Sequence, residues 1–354
     1  MGLFDDALKD GESLFKDEIA LDVDFTPPKI PYRENENDRI AECIKPLFKK
    51  RSGKNLFITG NPGIGKTLAA KKVLEALEKQ TDDITRLYVN CWKKDSAHKI
   101  ILDICNQIGY RFTINKTTEQ LMNEVSKILN KKSSVIVFDE ADKLSNEAMG
   151  ILYSFAEDLF RKSIILITNN KEFLALLDRR IYSRLMLETL EFRPYNLNEI
   201  YGILKDRVDY AFAKGVWGNS ALKLIAGKTF ELSDVRAGLH LLKESGNIAE
   251  RKLKRKIEEE DVKEATGKLA EFTSRNMTEL NDEEKQLLEL VRTNSGKSSK
   301  ELHGIYDSTI SYRTFFRKLK ELEDAKLIRM EEINTGEGKR SNVYFGSLRK
   351  LGEF

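Results

Sequence analysis

The chain is poor in the residues that build disulfide scaffolds, metal centres and membrane spans. It has three cysteines, Cys43, Cys91 and Cys105, scattered and with no C-x-x-C pair. That spacing predicts buried thiols rather than bridges or metal ligands, as in a reducing compartment. Its three histidines, His98, His240 and His303, lie far apart and support no zinc site. No apolar run is long enough to span a bilayer. The opening MGLFDDALKD lacks a basic stretch followed by an apolar one, so it does not read as a secretory signal. These absences predict a cytoplasmic protein with no membrane partner. Charge of one sign is also scarce. Sixty Lys and Arg against 57 Asp and Glu leave +3, so any nucleic-acid surface must be a local patch. Proline is rare, with six in the chain, yet three of them fall within residues 27–31.

What is present is ordinary for a soluble, folded chain: 33% charged and 40% hydrophobic residues. Its 354 residues suggest two or three domains. The chain is organised around Gly60-Asn61-Pro62-Gly63-Ile64-Gly65-Lys66-Thr67, a G-x-x-x-x-G-K-T phosphate loop. The glycines allow positive φ and close backbone approach, so successive N–H groups can face phosphate oxygens. Lys66 can reach the β- and γ-phosphates, and the Thr67 hydroxyl can ligate Mg²⁺. An apolar strand, Leu56 to Ile58, precedes the loop. A helix, Leu68 to Gln80, follows it and turns its positive end to the triphosphate.

Before the loop, residues 1–24 are acidic and mildly amphipathic and read as a loosely packed arm. Thr26-Pro27-Pro28-Lys29-Ile30-Pro31 cannot continue a helix. It either wraps the nucleotide base or merely links domains. After the loop, Arg86 to Asn90 reads as a second strand. Val135 to Phe138 is a third, ending in Asp139-Glu140. Asp139 can hold Mg²⁺ and Glu140 can polarise the attacking water. Ser163 to Thr168 is a fourth strand, ending in Asn169-Asn170. A neutral amide there either positions the water or only makes the turn. Leu185 to Leu190 is the fifth, after a helix from Leu174 to Arg184. Helices are expected at 95–108, 118–130 and 147–160. Strands alternating with helices predict a doubly wound parallel sheet.

Beyond Tyr195 the strands stop. Helical patterns cover 198–213, 220–229 and 233–245, with Ser233 as the expected N-cap that puts Arg236 in the first turn. The mixed charges of 251–261 read as a solvated helix face, and polar residues 274–279 as a boundary. Helices follow at 282–292, 297–304 and 308–322. On the last, Tyr312, Phe315, Phe316, Leu319 and Leu322 form one stripe, with Arg313, Arg317 and Lys320 opposite. Residues 326–330 and 342–345 then read as a hairpin with Lys339 and Arg340 on a glycine-rich tip. This is the winged-helix order. It favours double-stranded DNA binding over protein docking.

Taken together, these motifs resemble an AAA+ ATPase, and within it the archaeal replication initiators related to the origin recognition complex and its helicase-loading relative. The resemblance spans nearly the whole chain. It is carried by LDVDFTPPKIPYRENE, GNPGIGKT, YVNC, VFDEADKL, ITNN with LLDRRIYSRL, EFRPYNLNEIYGILKDRV and SDVRAGLHLL. It implies ATP or ADP with Mg²⁺ held by Gly60 to Leu68 and Asp139. It makes Asn169 sensor 1 and Arg236 sensor 2, and it has Tyr195 and Arg207 contact the nucleotide. Arg184, or else Arg180, would be a finger acting on a neighbour's ATP. Two departures stand out. The segment between Lys143 and Ser163 is short, which puts a further DNA-contacting insertion in doubt. Ser233 stands where the family usually has glycine, and serine is expected to serve there as a cap.

The implied architecture is an arm (1–31), an AAA+ core (32–193), a helical lid (194–273) and a winged helix (278–354). The implied function is ATP-dependent recognition of replication origins and help in loading the replicative helicase, with ATP binding and slow hydrolysis as a switch. The protein would be nucleoid-associated, self-associating or paired with related initiator subunits. The alternatives are a winged-helix transcription regulator that uses the core as a nucleotide sensor, and a clamp-loader-like motor, which lacks the C-terminal module.

Overall fold

The computed structural model describes residues 13–278, 282–306, 310–324, 328–335 and 338–345. The chain forms two compact units. One is residues 16–212 with 233–239; the other holds 213–232 and the described residues from 240 onward.

In the first unit, α1 (Glu34–Ile44), β1 (Leu56–Thr59) and α2 (Lys66–Gln80) lead into β2 (Ile84–Asn90). Then come α3 (Ala97–Gln107), α4 (Thr118–Leu129), β3 (Ser133–Asp139), α5 (Asn146–Asp158) and β4 (Lys162–Thr168). The five-stranded sheet has the order β2-β3-β4-β1-β5, every pair parallel, with β5 at Glu188–Glu191. Alternate residues supply its two faces. Ile136 and Phe138 of β3 join Ile100, Leu121 and Phe155 in one core, while Val135 and Val137 are equally buried. A sheet buried on both sides explains the unbroken apolar run of β3. Cys43, Cys91 and Cys105 are free and buried.

Three expectations change here. The single helix expected at 174–184 is two, α6 (Phe173–Leu176) and α7 (Arg179–Leu185), because the Asp178 carboxylate caps a new start by accepting from the Arg180 N–H at 2.7 Å. β5 starts late because α7 continues through Leu185 and Met186 ends it at φ 45°. The described part of the arm is packed, not loose. Ala20, Leu21 and Ile30 are buried, and Arg207 of α8 (Leu197–Ala211) donates to the Ala20 carbonyl at 2.9 Å.

The second unit holds α9 (Asn219–Leu232) and most of α10 (Val235–Arg251), followed by α11 (Glu259–Thr278). α11 runs through 274–278, where a boundary was expected. The mixed-charge stretch is not simply solvated either. Asp261 is fully buried and accepts from Lys254 at 3.1 Å and Lys252 at 3.3 Å. α12 (Asp282–Thr293), α13 (Ser299–Ile305), α14 (Tyr312–Asp324) and the hairpin β6 (Ile328–Thr335) and β7 (Gly338–Phe345) follow. Leu287, Leu302, Phe315, Leu319, Ile328 and Val343 pack as their own core. The strands reach further than expected. Lys339 pairs with Asn334 and Arg340 with Ile333, so both are ladder residues rather than part of an open tip.

Candidate functional site

The phosphate loop and the carboxyl ends of β2, β3 and β4 border one pocket of about 320 Å³, lined within the first unit. The loop from β1 to α2 turns through Gly60, Gly63 and Gly65 at φ +148°, +72° and +91°. Space forbids a side chain as well. A Cβ on Gly63 would lie 2.0 Å from the Asp234 carboxylate, and one on Gly60 would lie 2.7 Å from the Phe192 carbonyl oxygen.

Lys66, at the first turn of α2, is buried. It donates to the Gly60 and Asn61 carbonyls at 2.7 and 2.8 Å, and to Asn169 Oδ1 at 2.6 Å. Burial lowers its pKa to about 8, against the opposing pull of Glu140 and Asp139. An ammonium held this way lacks full counter-charge and suits an anion. Thr67 Oγ1 donates to Asp139 Oδ2 at 2.7 Å, and the Tyr88 hydroxyl donates to the same oxygen at 2.6 Å. Glu140 leaves β3 at φ 54°. Its carboxylate accepts from Asn169 Nδ2 at 3.1 Å. Burial first, then Asp139 and Asp142, raise the Glu140 pKa above the ordinary carboxylate value.

The structure therefore brings Gly63, Gly65, Lys66, Thr67, Leu68, Asp139, Glu140, Asn169, Tyr195, Arg207 and Arg236 to one pocket. Gly60, Asn61, Pro62 and Ile64 do not line it. Ile64 is buried behind the loop, while Gly60 and Asn61 serve through the carbonyls that hold Lys66. Pro27, Ile30 and Pro31 line the same pocket, so the proline segment borders the site rather than only linking domains. Arg207 borders it while spending its guanidinium elsewhere, on the Ala20 and Phe25 carbonyls and over the Phe25 ring.

Ser233 is not the cap of α10. It sits at φ 52°, the left-handed region that glycine occupies without strain. Asp234 caps instead, accepting from the Arg236 N–H at 2.9 Å. Arg180 and Arg184 stay apart from the pocket. Both are exposed on α7, with Arg184 paired to Glu157 at 3.0 Å and Arg180 near Asp178 at 3.7 Å. On α14, Phe315, Leu319 and Leu322 are buried, whereas Arg313, Arg317 and Lys320 are exposed. Tyr312 is itself 37% exposed, so it stands at the margin of the buried stripe. The side chains of Lys339 and Arg340 lie outside the described residues.

Sequence reasoning gave no role to Arg33, Tyr88 or Asp234. Each stands inside a quoted motif, but its partners are distant in sequence, so spacing offered no signal.

Residues 49–177 match the model of the AAA domain, and residues 201–267 match that of the Cdc6 AAA+ ATPase-type lid domain. The chain is 31% identical over 343 residues to the ORC1-type DNA replication protein 2 of Archaeoglobus fulgidus, covering 94% of this chain and 90% of that one. It is 32% identical over 282 residues to the ORC1-type DNA replication protein 1 of the same organism, covering 76% and 69%. Among solved structures, it resembles the Aeropyrum pernix ORC1 protein in complex with DNA, with TM-score 0.69, 25% identity and 95% and 94% coverage. The fold is shared with the Aeropyrum pernix ORC2 protein in its ADPNP–ADP complexes, with TM-score 0.73, 19% identity and 94% of each chain.

Proposed function

The chain belongs to the ORC1-type family of archaeal DNA replication proteins, AAA+ ATPases, and on that premise we propose that it marks replication origins by binding duplex DNA under the control of ATP and helps load the replicative helicase. One observation carries the nucleotide half of this reading. Lys66, Thr67, Asp139, Glu140, Asn169 and Arg236 line one pocket together with the proline segment.

The residues present fit a nucleotide with Mg²⁺. Thr67 Oγ1 and Asp139 Oδ2 form a pair of hard oxygen donors at the pocket, as that ion prefers. Among the described residues no group of three His, Cys, Asp or Glu side chains could hold a metal alone. Phosphate oxygens and water would supply the remaining ligands. When bound, the ion would offset the negative charge on the phosphates. Lys66 would exchange its carbonyl partners for phosphate oxygens. Glu140, poised by its raised pKa to accept a proton, would polarise the attacking water, and Asn169 would orient it. Arg236 would report the γ-phosphate to α10. ATP binding and slow hydrolysis would act as the switch between two arrangements of lid and core.

Arg184 has no place in its own chain's pocket, which supports a finger acting on a neighbouring subunit or related initiator. Arg184→Ala is expected to lower ATP turnover at least about tenfold while leaving ATP affinity unchanged. Turnover per molecule that does not change with protein concentration or added partners would sink this role.

For DNA, α14 presents Arg313, Arg317 and Lys320 outward from its buried stripe. A helix of this kind fits the major groove, where arginine can read guanine bidentately. The 3.7 Å pair between Arg317 and Glu321 is exposed and weak enough to yield. Arg317→Ala should cost about 1–3 kcal/mol of specific binding and relax sequence preference. Lys339→Ala should weaken all sequences alike and reduce the salt slope by about one unit. Salt titrations on duplex DNA check both. The function itself is tested by a genome-wide map of bound sites. Peaks at replication start sites are expected, whereas peaks confined to promoters would favour a transcription regulator.

A further inference from the structure

The glycines free the phosphate loop to turn, but freedom does not aim a peptide group. A single buried side chain does that here. Arg33 is fully buried and lies behind the loop, outside the pocket lining. Its Nε and Nη2 both donate to the Ile64 carbonyl oxygen, at 3.3 and 3.2 Å. Nη2 also donates to the Arg193 carbonyl at 2.6 Å, and Nη1 to Glu36 Oε1 at 2.7 Å. The guanidinium carbon stands 3.9 Å from the Tyr195 ring centroid and 5.1 Å from that of Phe192.

The Ile64–Gly65 peptide is trans. In a planar trans peptide the carbonyl and the N–H point in opposite directions. The carbonyl is aimed back at Arg33, so the Gly65 N–H is aimed the other way, toward the pocket that Gly65 lines. At φ +91°, and without a Cβ, Gly65 has little of its own to prevent a flip. A flipped peptide would present a carbonyl oxygen to the phosphate.

We propose that Arg33 is a positioning residue for nucleotide binding: it locks the Ile64–Gly65 peptide with its N–H facing the phosphate site. This rests on reading the pocket as a nucleotide site. Lysine cannot replace it. The role needs a planar fork with two donors on one oxygen, one of which also reaches the Arg193 carbonyl, and a flat face on Tyr195. The same guanidinium fixes the loop to the segment that follows β5, so loop geometry and the position of Tyr195 are set together. A Cβ on Gly65 would stand only 3.2 Å from the Tyr195 hydroxyl, which shows how closely the two are fitted.

The test uses the full chain labelled with ¹⁵N-glycine and titrated with ADP. In the wild type the Gly65 amide resonance should move downfield as its N–H meets phosphate. In Arg33→Lys and Arg33→Gln that movement should be lost and ADP affinity should fall at least about tenfold. The amides of Gly109 and Gly150, in the same unit as the loop but outside the pocket lining, should keep their positions and so report an intact fold. Glu36→Gln breaks a buried ion pair but leaves the fork on the carbonyl, so in the folded variant at saturating ADP the Gly65 amide should still move downfield. ADP binding and a Gly65 response unchanged in the Arg33 variants would overturn the proposal. Loss of the Gly65 response in a folded, ADP-saturated Glu36→Gln would do so too. Should neither Arg33 variant fold, a wild-type Gly65 amide that ignores bound ADP is by itself decisive against it. Failure of the wild type to bind ADP would remove the nucleotide reading, and this proposal with it.

Discussion

Lys66→Ala is expected to weaken ATP and ADP binding by about 10²-fold, because one charge-assisted contact contributes about 1.5–3 kcal/mol and no neighbour can replace it. Lys66 enters the pocket between the Gly60 and Asn61 carbonyls and Asn169, and the burial that lowers its pKa to about 8 also strips it of water. Phosphate would restore the missing counter-charge. Removing the ammonium leaves two carbonyl oxygens and the Asn169 amide oxygen facing an anion. The fold should hold, since burial already disfavours the charged ammonium at this position. Isothermal calorimetry measures the effect directly. Unchanged affinity in a folded variant would disprove the phosphate-loop assignment.

Glu140→Gln should separate binding from chemistry. The amide keeps the size of the carboxylate, and its oxygen can still accept from Asn169 Nδ2. Asp139 remains to pair with Thr67. Affinity for ATP should therefore stay within about threefold, while turnover falls by about 10²- to 10⁴-fold, the usual range for loss of a general base. The raised pKa of Glu140 gives the physical reason. Its half-buried carboxylate, beside Asp139 and Asp142, takes up a proton more readily than an exposed one. A single-turnover measurement with ATP preloaded on the protein checks the split. Normal turnover would remove Glu140 from the catalytic role.

The two variants also separate from the Arg33 series. Lys66→Ala removes a ligand of the phosphate, whereas Arg33→Lys removes no pocket-lining side chain and frees the peptide and the Tyr195 ring that the guanidinium holds. Weakened binding in both, with the Gly65 amide silent at saturating ADP only in the second, would distinguish a missing contact from a misaimed one.

Local chemistry was legible from the chain alone. G-x-x-x-x-G-K-T needs only adjacent residues, and the apolar run of β3 ending in Asp139-Glu140 declares a buried strand with its acids at the tip. Amphipathic periodicity marked the outward Arg313, Arg317 and Lys320 for the same reason: side chains three and four apart share a helix face whatever else the protein does. Tertiary structure decided what depends on partners far along the chain. Asn169 sits between Lys66 and Glu140, a placement that no spacing reveals, so turn and sensor were equal readings until the strands were ordered. Asp178 and Met186 redrew α6, α7 and β5 through single backbone choices. The cap of α10 moved from Ser233 to Asp234, whose carboxylate meets Gly63 of the loop 171 positions earlier in the chain. Arg33 shows the limit most clearly. In sequence it is one charged residue among many in an acidic, helix-forming stretch. Its meaning lies in two carbonyls and an aromatic ring contributed by residues 64, 193 and 195. Periodicity and motif spacing encode neighbours within a few residues; the direction of a peptide group is set by whatever the fold brings to its oxygen.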